Sequence, residues 1–94
     1  MATTHPTSLA GFQSLQEAAE AICNLRYDSL EELLRHIQNK LYWDSESDYQ
    51  RGREKLSNAL EDASELVAPV ILAIAAAWQI SKPFMLPPPP PPTS

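Results

Sequence analysis

The chain has 94 residues, of which 44% are hydrophobic, and carries a formal net charge of −5. This length suits one small domain, and folding removes only about 60–70% of its unfolded surface from water, which makes self-association a natural way to complete burial. The acidic balance argues against general attraction to nucleic acid or anionic membrane, because both depend on cationic side chains that neutralise phosphate.

The beginning of the chain is small and polar around Pro6, so residues 1–7 are expected to form a flexible tail. This stretch has no basic start followed by an apolar run, which argues against a secretory signal and favours a cytoplasmic location. A single helical domain is then expected over residues 8–86. Its first helix is predicted at residues 14–25, because Ser14 and Glu17 have the spacing of a capping box.

A second capping-box spacing, Ser29 to Glu32, predicts that another helix begins at Ser29. Its apolar residues alternate at steps of three and four, which is typical of an amphipathic helix. The aromatic pair Tyr42 and Trp43 gives way to short polar side chains, so this helix is expected to cover residues 29–42. Residues 45–48, which include the acidic Glu46 and Asp48, are expected to begin a third helix.

The third helix is the longest and most apolar element expected in the chain. Gly52 is interpreted as a weak point inside it, costing roughly 1 kcal/mol relative to alanine. Pro69 is a stronger interruption that predicts a kink, which we favour over two abutting helices, and Pro83 is expected to end the helix. An apolar stripe along this helix is formed by Leu56, Leu60, Ala63, Val67, Val70, Ile74 and Ala77. The side opposite the stripe is polar up to Glu65, and nearly every residue from 66 to 80 is apolar. This half needs cover from other helices, another copy or lipid.

These patterns predict an all-α protein of three main helices, arranged as a small bundle or helical hairpin, with disordered termini. We expect a non-enzymatic interaction, adaptor or regulatory protein that associates through its apolar third helix, most simply as a homodimer or with another helical protein. The residues expected at this partner interface lie along or beside the apolar stripe and are Leu60, Ala63, Val67, Val70, Ile71, Ile74 and Trp78.

A membrane association is the first alternative. The uncharged residues 66–81 number sixteen, which makes about 24 Å of helix against a hydrocarbon thickness near 30 Å. Lys82 could snorkel towards the headgroups, and the apolar residues after it could lengthen the segment. The alternative protein is therefore inserted through residues 66–86.

The carboxyl-terminal proline run is a second candidate site for a partner. Six consecutive prolines at residues 87–92 predict an extended polyproline II segment, the form that SH3, WW and EVH1 domains read. The expected ligand residues are Leu86, Pro87, Pro88, Pro89 and Pro90. A stiff tail that only spaces or shields the end of the chain explains the same run, and the sequence leaves both readings open.

Neither catalysis nor cofactor binding is predicted. Cys23, Glu32 and His36 could form a zinc-binding set, but the chain has no paired Cys or His spacing, so no metal site is expected. There is no Gly-rich phosphate loop and no catalytic constellation. The basic cluster of Arg51, Arg53 and Lys55 is expected to pair with neighbouring acids rather than with nucleic acid.

Overall fold

The computed structural model describes residues 4–88, 90 and 91. Within this part of the chain it contains three α-helices and no strand: α1 (Leu15–Cys23), α2 (Tyr27–Gln50) and α3 (Glu54–Ser81), with a 3-10 turn at Lys82–Phe84 after α3. The all-α class with three main helices is therefore confirmed. The expected amino-terminal tail lies partly outside the described residues. Pro89 and residues 92–94 lie entirely outside them.

Helix α1 begins where its capping signal predicts. The Ser14 hydroxyl accepts a hydrogen bond from the Glu17 N–H at 3.1 Å, and the Glu17 carboxylate accepts one from the Gln13 N–H at 3.0 Å. The serine half of the predicted capping box is thus present, while the glutamate binds one residue earlier than the motif requires. The helix ends at Cys23, two residues before the predicted end.

Helix α2 is much longer than predicted. It begins at Tyr27 rather than at Ser29 and runs to Gln50 rather than to Tyr42. The second capping-box interpretation was wrong because Ser29 lies inside the first turn, where its N–H binds the Asp28 carboxylate at 2.9 Å. The predicted stop after Tyr42 was also wrong, because Ser45 uses its side chain across the hairpin instead of ending the helix.

Gly52 forms the turn that separates α2 from α3. Its φ angle is +77°, in the left-handed region that glycine adopts without a steric cost. The Gly52 N–H binds the Tyr49 carbonyl at 3.0 Å and the Arg53 N–H binds the Asp48 carbonyl at 2.8 Å, which together make a Schellman motif. Gly52 therefore ends a helix, and its interpretation as a weak point inside one was wrong.

Helix α3 begins at Glu54, so the predicted start at residues 45–48 was wrong. From there it is a single helix of 28 residues with Pro69 inside it, which excludes two abutting helices. The kink expected at Pro69 stays a prediction. Pro83 lies in the 3-10 turn directly after α3, so the helix ends two residues before this proline.

Helices α2 and α3 pack against each other as an antiparallel hairpin, and hydrogen bonds fix their register. The Ser45 hydroxyl donates to the Ser57 carbonyl at 2.8 Å. Seven residues away on each helix, the Gln38 amide donates to the Ser64 carbonyl at 3.1 Å and the Ser64 hydroxyl donates to the Gln38 carbonyl at 3.2 Å. Helix α1 has no comparably extensive contact with either helix of the hairpin.

The hydrophobic core of the single chain is small. Among the described residues, the buried hydrophobic side chains are Ala18, Leu30 and Ile71. The accessible surface is 7827 Å², whereas a compact monomer of 10.5 kDa exposes about 5400 Å². The radius of gyration is 16.4 Å against about 12 Å for a compact chain of 94 residues. The single chain is therefore less compact than an average domain of its size.

Candidate functional site

The residues expected at the partner interface lie mostly on the packed side of α3. Ile71 is buried at 2% exposure, and Val70 is 49% exposed. The other five members are half-buried: Leu60, Ala63, Val67, Ile74 and Trp78. Their contact with a partner stays a prediction, and Val70 is the member of the set most accessible to one.

The side of α3 that points away from the hairpin is apolar over the carboxyl-terminal half of the helix. We define this outward face by six exposed residues: Leu66, Pro69, Val70, Ala73, Ala76 and Ile80. At 100° per residue they occupy an arc about 120° wide, opposite the buried Ile71. Leu66 is 71% exposed and Ile80 is 73% exposed, and Leu72 on the flank is 68% exposed. The outward face carries no charge.

Charged groups of α2 lie beside this apolar half of α3. One heptad from the Gln38 and Ser64 contact, the antiparallel register places Glu31 beside Ile71. Glu31 binds Arg35 in an ion pair at 2.8 Å, and both residues line a shallow depression together with Trp78. The apolar outward face and the charged surface of α2 are therefore two sides of one hairpin.

At the end of the hairpin away from the Gly52 turn, Arg26 contacts both Trp78 and Asp28. The Arg26 guanidinium lies 5.0 Å from the centroid of the Trp78 ring, within the range of a cation–π interaction. Arg26 also donates two hydrogen bonds to Asp28, at 2.7 and 2.8 Å. These bonds lower the pKa of the Asp28 carboxyl and raise the pKa of Arg26.

The segment after α3 borders an open groove. Phe84 is 83% exposed and Leu86 is 84% exposed, whereas Met85 is 40% exposed. The groove of about 830 Å³ lies between this segment and the connection from α1 to α2, and its lining includes Cys23, Tyr27, Met85 and Pro88. Leu86, Pro87, Pro88 and Pro90 of the candidate polyproline ligand are exposed, and Pro89 lies outside the described residues.

The remaining sequence candidates lie apart from the outward face. Arg53 binds Asp48 at 3.3 Å in the turn between α2 and α3. Trp43 is 66% exposed on α2, with its ring 5.6 Å from that of Tyr42. Cys23 and His36 are exposed. Within the described residues, no group of three His, Cys, Asp or Glu side chains could hold a metal ion.

The sequence interpretation missed the polar residues that join α2 to α3. On α3 these are Ser57 and Ser64, both buried, and they continue at heptad spacing into Ile71 and Trp78. The predicted stripe contained only apolar residues, so it was drawn next to the packing face rather than on it. The heptad spacing of Ser57, Ser64, Ile71 and Trp78 was the signal available in the sequence.

Helix α3 with its 3-10 turn, Glu54–Phe84, has the length and composition to cross a membrane. Its most apolar 18 residues have a mean hydropathy of 1.7, and 11% of them are buried. In a soluble protein a core helix of this composition is mostly covered. Helix α3 is therefore much more exposed than a core helix of this composition.

Comparison of the chain with protein-family models, with curated proteins and with solved structures gives no significant match.

Proposed function

We propose that this chain is a non-enzymatic helical association protein, which binds a helix of its partner through the outward face of α3. A second copy of the chain is the simplest partner. The observation that supports the proposal is the exposure of Leu66, Leu72 and Ile80, each more than two thirds accessible on a helix half that carries no charge. Exposed apolar surface of this kind marks interaction sites in folded proteins.

The amount of uncovered surface also supports association. The chain exposes about 2400 Å² more than a compact monomer of its mass. A standard protein interface removes about 800 Å² from each partner. The excess exposed area is therefore large enough for a standard interface over the outward face and its flank. The extended segment after α3 contributes part of this excess.

Charged groups on α2 favour a protein partner over a membrane. Glu31 and Arg35 lie alongside the apolar half of α3, so a hairpin inserted with both helices would carry them into the hydrocarbon. A charged side chain at the centre of a bilayer costs about 2.5–3.5 kcal/mol on insertion scales. A protein helix on the outward face leaves these groups in water.

Size measurements on single-charge variants test the proposal. We expect the wild-type protein to be larger than 10.5 kDa in multi-angle light scattering, and Leu66→Glu or Ile80→Glu to be monomeric with the helical circular dichroism retained. Asn58→Glu is the matched control, because it adds the same charge at an exposed position of the polar half of α3. A wild-type monomer, or unchanged size in Leu66→Glu, would overturn the proposal. Co-flotation of the wild-type protein with phosphatidylcholine vesicles would favour the membrane alternative.

The carboxyl-terminal segment is a second candidate, as a ligand for a polyproline-reading domain. Met85 has φ −80° and ψ 133°, close to polyproline II geometry, and Leu86 is 84% exposed beside it. Binding of an SH3, WW or EVH1 panel to the full chain, lost on removal of residues 87–94, would support this role. Binding that survives the truncation would contradict it, and so would the absence of binding to every domain of the panel.

A further inference from the structure

We infer that two copies of this chain pack through the outward face of α3 as an antiparallel pair, with Ala73 of each copy at the two-fold axis. The inference rests on the proposed function and specifies its partner and geometry. A two-fold pair uses the same patch of both copies, so the patch must be complementary to itself. The outward face meets this condition around Ala73.

The side chains along the outward face are arranged symmetrically about Ala73. Leu66 lies seven residues before it and Ile80 seven residues after it, and all three share one line along the helix. Antiparallel packing centred on Ala73 sets Leu66 of one copy against Ile80 of the other. The small Ala73 and Ala76 side chains allow the two helix axes to approach closely between these larger residues.

Charge distribution selects the antiparallel orientation over the parallel one. The acidic residues Glu61, Asp62 and Glu65 are exposed at the amino-terminal end of the apolar half, and Asp62 lies in line with the outward face. Parallel packing would place each of these acids beside the identical residue of the other copy, and facing like charges are destabilising. Antiparallel packing about Ala73 separates the two Asp62 residues by about 33 Å, at a rise of ~1.5 Å per residue.

The opposite end of the apolar half has the only positive charge after residue 65. Lys82 is exposed there, and no acidic residue follows Glu65 in the chain. In the antiparallel pair, Lys82 of one copy lies at the same end as the acids of its partner. Lys82 itself lies on the far side of α3 from the outward face, so the orientation is favoured by the like-charge contact that it removes.

Cysteine cross-linking of the full chain tests this geometry. Cys23 is exposed and is first replaced, giving Cys23→Ser as the background. In that background Ala73→Cys is expected to form a disulfide dimer on mild oxidation, because the paired Cα atoms lie within the ~7 Å that a disulfide spans. Leu66→Cys and Ile80→Cys are each expected to stay unlinked, since identical positions lie about 21 Å apart. The same two variants, denatured together and refolded as a mixture, are expected to cross-link to each other.

Each result has a distinct meaning. Self-linking of Leu66→Cys and Ile80→Cys would overturn the antiparallel geometry and leave association through the outward face intact. A dimer in light scattering that cross-links at none of the three positions would overturn the inference and the assignment of the outward face. A monomer in light scattering would overturn both the inference and the proposed function. Circular dichroism confirms that each cysteine variant is folded, and all three positions are exposed in the single chain.

Discussion

Ser45 and Ser57 face each other across the α2–α3 hairpin, with the Ser45 hydroxyl donating to the Ser57 carbonyl at 2.8 Å and the two hydroxyl oxygens 3.2 Å apart. Both residues are buried, at 3% and 4% exposure. Side chains this small allow the two helices to approach closely near the turn, and their hydrogen bonds satisfy the polar groups that the approach buries. The contact therefore allows α2 and α3 to pack closely and also fixes their register.

Replacing Ser45 by leucine is expected to destabilise the hairpin by about 1–3 kcal/mol, because a closely packed site has no room for the larger side chain. The free energy of unfolding is measured by urea denaturation followed by circular dichroism. Ser47→Leu is the matched control, since Ser47 is exposed on the same helix and its replacement is expected to change stability by less than about 0.5 kcal/mol. Equal stability of the two variants would contradict close packing at Ser45.

The helical class could be predicted from the sequence because local signals determine it, whereas the count of three helices agreed even though the second break lies at Gly52 and not after Tyr42. Ser14 caps α1 as its spacing to Glu17 predicts. The same spacing at Ser29 and Glu32 misleads, because there the Asp28 carboxylate binds the Ser29 N–H inside a helix that has already begun. A capping motif provides the residue types that the start of a helix requires, but whether a helix starts there depends on the neighbouring residues.

Which side of α3 remains exposed was hard to predict from the sequence. Nearly every residue after Glu65 is apolar, so the pattern of residue types does not distinguish the side that packs on α2 from the side that remains free. Ser64 settles this in the structure through its hydrogen bonds with Gln38. The predicted stripe through Val70 therefore lies beside the face of α3 that packs on α2, and that face includes Ile71.

Gly52→Ala separates the two interpretations of this residue by the sign of its effect. A glycine inside a helix would make the alanine variant more stable by roughly 1 kcal/mol. At φ +77°, with nothing within 4 Å of an added Cβ, alanine is instead expected to cost about 1–2 kcal/mol through backbone strain alone. Gly52→Asn is expected to cost less, because asparagine tolerates the left-handed region better. Thermal or urea unfolding measures all three, and a stabilised alanine variant would exclude the Schellman turn.

The ion pair at the start of α2 predicts a shifted titration of Asp28. Hydrogen bonds from Arg26 lower the pKa of the Asp28 carboxyl, so its titration in the folded protein, followed by carboxyl NMR, is expected below the ordinary value. Because the folded pKa is the lower one, the stability due to this pair is complete above the unfolded pKa, about 3.9, and is lost as the pH falls through the folded pKa.

Arg26→Ala is expected to return the Asp28 titration towards its ordinary value, since the guanidinium is the largest cause of the shift. Arg35→Ala is the control, because Arg35 pairs with Glu31 and should leave the Asp28 midpoint close to that of the wild type. An Asp28 midpoint that does not respond to Arg26→Ala would contradict the ion pair.

Pro69 is expected to reduce the stability of α3, because it lacks the N–H that would bind the Glu65 carbonyl and its ring crowds that carbonyl. Pro69→Ala should therefore raise the free energy of unfolding by up to about 3 kcal/mol, measured at fixed protein concentration because association shifts apparent stability. Ala76→Pro is the reverse control, since Ala76 is exposed one heptad further along the outward face and should lose a comparable amount. An alanine variant that is no more stable than the wild type would contradict this expected cost of Pro69.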